Sequence, residues 1–157
     1  MLYFLTAGRL QLRLKNTKEI LEHLRQGVFV RLQCSPTHGI GVFAIRDIPA
    51  GIDPFNERAN NMSFAKVSAA KILDDPEIPD TVKKYVEDMC ISRGGYLFVP
   101  RRGMNVLPPV FYINHSKTPN VGADPEDYFY TLRPIEAGEE LTVDYETYND
   151  ETGLEEG

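Results

Sequence analysis

The stretch NHSKTPN, residues 114–120, decides the fold of this chain together with GEELTVDY at residues 138–145. The first stretch is polar and contains a proline, which is typical of a turn. The second follows a glycine and carries apolar side chains at alternate positions, which predicts a strand that ends in Tyr145. GIGVFA, residues 39–44, predicts another strand far upstream, entered through glycine. Each pattern alone is also compatible with an ordinary turn or strand, so the order of the three is the informative feature.

The length and composition are those of one domain. The 157 residues are 42% hydrophobic, which is enough for a real core and argues against wholesale disorder. No apolar run is long enough to cross a bilayer, and the first residues lack the basic leader of a signal peptide. We therefore expect no membrane association and a cytoplasmic location in a bacterial-type cell, or a nuclear or cytosolic one if the source is eukaryotic or viral.

The two cysteines, Cys34 and Cys90, are too few for a disulfide framework or a zinc site. Both lie in apolar stretches of the sequence. We expect them to be buried, reduced thiols, and we expect no metal site.

The net charge of −6 belongs to the C-terminal part of the chain. Nine acidic and no basic residues follow Arg133, whereas the first 133 residues carry a net charge of +3. An acidic tail, residues 146–157, usually serves solubility, but near an active site its field would also favour a basic peptide. Direct nucleic-acid binding is not expected, because no stripe of lysine and arginine is present to neutralise phosphates.

The residue patterns predict a mostly β chain with a small helical insert at residues 63–91, not alternating β–α units. Asn16, with Glu19 three residues later, predicts a capped helix that ends at Gly27. Within the insert, apolar spacing predicts a short helix over residues 64–73 and a stronger helix after Pro79. Strands are predicted at residues 28–32, 40–45, 96–99, 129–133 and 141–145, with a short one between Gly51 and Pro54.

The three stretches, in this order, resemble the signature segments of the SET-domain family. The resemblance implies a single SET domain over residues 1–157, with core motifs at residues 28–55 and 96–148. It also implies a SET-domain β-fold whose C-terminal strand threads through the segment near Asn114 as a pseudoknot, an exception to the usual absence of knots. In such a knot Asn120 would brace the strand. The implied activity is methyl transfer from S-adenosylmethionine to the side-chain amine of a protein lysine.

The resemblance also implies which residues bind the cofactor. Gly39, Ile40 and Gly41 would hold its methionine part, since missing side chains let the backbone approach a ligand closely. Asn114 and His115 would hydrogen-bond the cofactor, and Tyr148 would lie against the adenine ring. A tight β-turn at the glycines and a polar turn at Asn114 are the purely structural alternatives.

Tyr145 is the catalytic residue that the resemblance implies. Sulfonium is already a good leaving group, so the reaction needs alignment of a neutral amine, which can supply roughly 7–11 kcal/mol. A lysine with an ordinary pKa near ~10.4 loses its proton more easily in an apolar channel, because desolvation disfavours the charged form. Phe111, Tyr112 and Tyr130 are candidate walls of that channel, although most buried aromatics are simply core.

The sequence departs from the family at two places. Lys117 stands where many members have the first cysteine of a zinc site, and no cysteine follows Cys90. The acidic tail, a second subunit in a homodimer, or residues 63–91 could close the cofactor pocket instead. Residues 52–57 replace a strand that often pairs with the substrate, which leaves the substrate protein and the degree of methylation open.

Two other functions remain open from the sequence. One is a catalytically inactive SET-fold binding module for a lysine-containing peptide or partner protein. The other is a small β-rich protein without a cofactor, which requires the motif order to be coincidence.

Overall fold

The computed structural model describes residues 4–6, 9–11, 14–56, 63–126 and 128–147. These ranges contain eleven short strands, three α-helices and two 3-10 turns, which confirms the predicted mostly β fold with a minor helical part. The strands are β1 (Phe4–Thr6), β2 (Arg9–Gln11), β3 (Val30–Cys34), β4 (Ile40–Ala44), β5 (Phe64–Ser68), β6 (Ile91–Arg93), β7 (Tyr96–Pro100), β8 (Asn114–His115), β9 (Val121–Ala123), β10 (Phe129–Thr131) and β11 (Glu140–Val143). The helices are α1 (Thr17–Gln26), α2 (Ala69–Leu73) and α3 (Asp80–Met89), and the 3-10 turns are Pro109–Tyr112 and Tyr145–Thr147. None of the described helices has the length and apolar character that crossing a bilayer requires.

The central sheet has the strand order β3-β4-β11-β8. β4 runs antiparallel to β3 and to β11, whereas β11 and β8 are parallel, with Thr142 opposite Asn114 and Val143 opposite His115. This sheet therefore joins the three signature stretches of the sequence. The remaining strands form the pairs β1–β2 and β9–β10 and the three-stranded sheet β5-β7-β6.

The main core lies against the middle of the central sheet. Val42, Leu141 and Val143 have no exposed surface, and they pack in one cluster with Val121 and Ile113. Full burial of an apolar side chain of this size contributes about 1.5–3 kcal/mol. The core therefore fixes β4 and β11, and with them the residues at their ends.

Asn120 fastens the C-terminal strand from inside the protein. Its side chain, 3% exposed, donates from Nδ2 to the Glu140 carbonyl oxygen at 2.8 Å and accepts the Thr142 N–H at 2.9 Å. Its own carbonyl oxygen accepts the Leu132 N–H at 2.9 Å. β11 thus lies between β4 and β8 and is held by the turn that follows β8. This arrangement matches the predicted pseudoknot and confirms that Asn120 braces it.

The insert at residues 63–91 is only partly helical, so the prediction of a helix over residues 64–73 is wrong in its first half. Phe64–Ser68 is the strand β5, antiparallel to β7. The helix α2 begins at Ala69, and α3 confirms the second predicted helix. Apolar spacing over so few residues does not separate helix from strand, and pairing with β7 decides the outcome.

Helix α1 forms as its capping residues predict. The Asn16 side chain accepts the Glu19 N–H at 3.0 Å, and the Gly27 N–H closes the last turn on the His23 carbonyl oxygen at 2.7 Å. Its apolar residues are not packed in the core, since Ile20 is 41% and Leu24 55% exposed.

Several predicted boundaries and one burial prediction are wrong. β3 spans Val30–Cys34 instead of residues 28–32, and residues 52–53 form no strand. Cys34, predicted to be buried, is exposed at the end of the edge strand β3, while Cys90 is buried; both are free thiols.

Candidate functional site

The Asn114 side chain joins β8 to the start of β4. Its amide nitrogen donates to Glu140 Oε1 at 2.7 Å and to the carbonyl oxygens of His38 and Ile40 at 3.1 and 3.4 Å. Backbone carbonyls only accept, so the atom that faces them must be the amide nitrogen. The side-chain carbonyl oxygen of Asn114 therefore points away from these three partners, and no described residue donates to it. An amide oxygen can accept a hydrogen bond.

Gly41 lies directly against the Glu140 carboxyl group. A Cβ at this position would come within 2.9 Å of Glu140 Cδ and 3.2 Å of Asn114 Nδ2, nearer than ordinary van der Waals contact. The space freed by the missing side chain is therefore filled by Glu140. Gly39 is glycine for a different reason: its φ of +53° lies in the left-handed region, where other residues are strained.

Tyr145 is positioned through the segment that contains Asn114. Its hydroxyl donates to the Ile113 carbonyl oxygen at 2.6 Å, and its backbone N–H donates to Nδ1 of His115 at 3.1 Å. The rings of His115 and Tyr145 lie 5.2 Å apart. Because His115 Nδ1 accepts a hydrogen bond, the proton of the neutral imidazole is on Nε2. β11 ends at Val143, so Tyr145 lies in a 3-10 turn rather than at the strand end that the sequence predicted.

The surroundings of Tyr145 keep its hydroxyl neutral and place acids beside it. Burial raises the pKa of the Tyr145 hydroxyl above the ordinary value of 10.0. Asp144 and Glu146 flank Tyr145 in sequence, and Lys117 pairs with both carboxylates, at 3.9 Å from Asp144. At neutral pH Tyr145 is therefore a protonated donor and acceptor beside two carboxylates that share the Lys117 cation.

Two of the three predicted channel aromatics pack on the same core as Tyr145. Phe111 and Tyr112, in the 3-10 turn before Asn114, pack on the main core as Tyr145 does. Phe111 also contacts Phe64 of β5, with ring centroids 6.3 Å apart. Tyr130 lies on β10, is 37% exposed and is not among the described residues packed on that core.

Ile40 and Tyr148 are the remaining residues that the sequence predicts at the cofactor site. The Ile40 side chain is 49% exposed, and it is the carbonyl oxygen of this residue that contacts Asn114. Tyr148 lies outside the described residues. Among the residues that the structure describes, no group of three metal-ligating side chains is placed to hold a metal ion.

The sequence reading missed Glu140 and Ser35. Glu140 accepts from Asn114 with one carboxylate oxygen and from Ser35 Oγ with the other, at 2.9 Å. The available signal was the alternation in β11, which turns Glu140 away from the core face of Leu141 and Val143. The sequence alone did not show that Gly41 would lie beneath it, because the pairing of β4 with β11 is a long-range contact.

The chain matches a known protein family. A family model described as SET domain matches residues 39–146. No curated protein sequence matches the chain. A crystal structure of a proposed histone methyltransferase from Plasmodium falciparum is similar at 17% identity and a TM-score of 0.47, covering 75% of this chain and 93% of that one.

Proposed function

This chain belongs to the SET-domain family, and from that premise we propose that it is a protein-lysine methyltransferase that uses S-adenosylmethionine. The observation that carries the proposal is the contact between the two signature stretches. Tyr145 is bonded to the Ile113 carbonyl oxygen and to His115, on either side of Asn114. Tyr145, which carries the candidate catalytic hydroxyl, is therefore held by the two residues next to Asn114, the candidate cofactor ligand.

The residues present suit the cofactor. The carbonyl oxygen of Asn114 is an acceptor suited to an ammonium or amino group. S-adenosylmethionine, when bound, supplies a methyl group activated by a sulfonium sulfur. Asn114 and the backbone of His115 would hold it, next to the carbonyl oxygens of residues 38–40.

Tyr145 would orient the lysine amine. Its hydroxyl hydrogen is directed to the Ile113 carbonyl oxygen, so its oxygen can accept an N–H from the incoming amine. Because burial raises the pKa of the hydroxyl, Tyr145 stays neutral while the substrate loses its proton, and it acts by positioning rather than as a phenolate base. Phe111 and Tyr112 would supply an apolar wall that disfavours a charged ammonium.

We further propose a basic peptide as the substrate. Asp144 and Glu146 flank Tyr145 and share the single cation Lys117, so one net negative charge remains, and its field would raise the local concentration of lysine-rich segments. From the sequence we also propose a cytosolic or nuclear location and a homodimer. We propose no nucleic-acid or membrane partner.

The test combines cofactor binding with turnover. Calorimetric titration with S-adenosylhomocysteine should give one site, and labelled S-adenosylmethionine should transfer its methyl group to lysine-rich peptides. Tyr145→Phe should bind the cofactor nearly as the wild type does and lose most turnover. Tyr96→Phe, which removes a hydroxyl from a 40% exposed residue, is the matched control and should keep both.

The two functions that the sequence left open give different results. Saturable binding without turnover on any lysine-bearing peptide would favour the inactive SET-fold binding module. No binding of the cofactor product, with or without peptide, would refute the proposed function. Unchanged turnover in Tyr145→Phe would remove Tyr145 from the mechanism.

A further inference from the structure

We propose that Glu140 is a positioning residue for the cofactor site: it anchors the amide nitrogen of Asn114 and thereby presents the Asn114 carbonyl oxygen to the ligand. This inference rests on the proposed function and names the residue that would fix the geometry of its binding site. Glu140 would act through Asn114, without touching the cofactor or the substrate.

The hydrogen bonds of Asn114 support this role. Its amide nitrogen has three acceptors, and the shortest distance, 2.7 Å, is to Glu140 Oε1. Hydrogen bonds to an ionised acceptor are roughly twice as strong as neutral ones. The two backbone carbonyls then complete the set, so the amide has one favourable orientation. A reversed amide would place its oxygen against three acceptors.

The carboxylate of Glu140 is itself fixed. Its second oxygen, Oε2, accepts from Ser35 Oγ at 2.9 Å. The same Ser35 oxygen accepts the N–H groups of Thr37 and His38 at 3.0 and 3.3 Å, which ties it to the turn that leads into β4. Glu140 therefore links the turn before β4 to Asn114 on β8.

Gly41 makes room for this link. Any Cβ there would meet the carboxyl group of Glu140 and the amide nitrogen of Asn114 at the contact they share. The glycine, the carboxylate and the amide thus form one packed arrangement. Since Glu140 and Gly41 belong to adjacent strands of the central sheet, the arrangement is built on rigid backbone.

A direct charge effect is the competing explanation. A carboxylate close to the site would also attract a cationic ligand without any help from Asn114. Glu140→Gln separates the two, because the amide oxygen of glutamine keeps an acceptor for Asn114 while the substitution removes the charge. Glu140→Ala removes both.

The experiment measures S-adenosylhomocysteine affinity by calorimetry on the full chain. Glu140→Ala should weaken binding about 5- to 50-fold, the equivalent of one lost buried polar partner. The affinity of Glu140→Gln should stay within about threefold of the wild-type affinity. The control Glu136→Gln makes the same charge change at an exposed position, and its affinity should equal that of the wild type. The double variant Asn114→Ala/Glu140→Ala should bind no more weakly than Asn114→Ala alone, because both act through one amide.

A second readout uses the free protein. The side-chain NH₂ signals of Asn114 in ¹⁵N NMR spectra should be dispersed and slow to exchange in the wild type and in Glu140→Gln, and should lose both properties in Glu140→Ala. If Glu140→Ala does not fold, Ser35→Ala, which loosens the carboxylate from its other side, should weaken binding in the same direction.

The outcomes separate this inference from the proposed function. If the wild type does not bind S-adenosylhomocysteine, the proposed function fails and this inference with it. If the wild type binds and Glu140→Ala binds equally well, only this inference fails. Equal losses in Glu140→Gln and Glu140→Ala would establish the charge effect instead, and additive losses in the double variant would show that Glu140 does not act through Asn114.

Discussion

Replacing Asn120 with alanine should destabilise the whole domain, because this side chain satisfies two backbone groups of β11. The Glu140 carbonyl oxygen would lose its donor and the Thr142 N–H its acceptor, at a site where Asn120 is 3% exposed. Each unsatisfied buried group costs about 1–3 kcal/mol, so the sum is about 2–6 kcal/mol. Water entering the space left by the side chain would satisfy part of this need, which favours the lower half of the range. Domains of this kind are stable by only about 5–15 kcal/mol, so the loss is a large fraction.

The assay for this prediction is urea denaturation followed by circular dichroism. The midpoint should fall while the slope of free energy against urea stays constant, since the surface exposed on unfolding changes little. Asn105→Ala, at an exposed asparagine, is the matched control and should stay within about 0.5 kcal/mol of the wild type. Asn120→Asp keeps the acceptor for Thr142 and loses the donor to Glu140, so we expect at least half of the loss. A cost below about 1 kcal/mol for Asn120→Ala would refute the view that this amide fastens the knot.

Four further predictions concern other parts of the chain. Asn16→Ala should lower the free energy of unfolding by about 1 kcal/mol in the same assay, since it removes the cap of α1. Asn16→Asp keeps a capping oxygen and should not lower it. Equal stability of the wild type and both variants would contradict the capping role of Asn16. Iodoacetamide should modify exposed Cys34 quickly in the native protein and buried Cys90 only after unfolding, and equal rates would contradict the burial of Cys90. Burial raises the pKa of the Cys90 thiol from 9.0 to about 11. The stability that the neutral, buried thiol contributes is therefore fully present below pH 9 and is lost as the pH rises towards 11. Urea titrations across this pH range should show this loss in the wild type and not in Cys90→Ala. Gly41→Ala should lower the thermal midpoint, because its Cβ overlaps Glu140, at a cost of about 1–3 kcal/mol; if adding Glu140→Ala recovers none of the loss, the overlap is not its cause.

Secondary structure could be predicted from the sequence where the residues that determine it are neighbours in the chain. Asn16 and Glu19 predicted α1, and the apolar spacing after Pro79 predicted α3. The glycines at 94–95 were expected to end that helix, which is wrong, because α3 ends at Met89 and the glycines lie between β6 and β7. The signature stretches also predicted the β-rich fold class, because their order resembles one family. These features depend on spacings of a few residues or on a motif order typical of one family, and both are visible in one sequence.

Strand pairing and side-chain contacts between distant segments could not be predicted from the sequence. β5 was predicted as helix because its apolar spacing is ambiguous, and its partner β7 lies thirty or so residues later. Cys34 was predicted to be buried from its apolar neighbours, although β3 proves to be an edge strand, a property of sheet order rather than of local sequence. Glu140 was overlooked for the same reason, since its partners Ser35 and Asn114 come from two distant segments.

The pseudoknot and the catalytic hypothesis are connected through the backbone that leads to Tyr145. Asn120 holds β11 at Glu140 and Thr142, and the Ser116 N–H donates to the Val143 carbonyl oxygen at 3.0 Å, two residues before Tyr145. Tyr145 itself is then tied to His115 and Ile113, so it has little freedom once the strand is in place. Holding a reacting group in one geometry is the main requirement of a methyl transfer in which the leaving group needs no activation. A SET domain that loosened this strand would lose alignment at Tyr145 before it lost its fold, which is why turnover should be the first property to respond to changes at the knot.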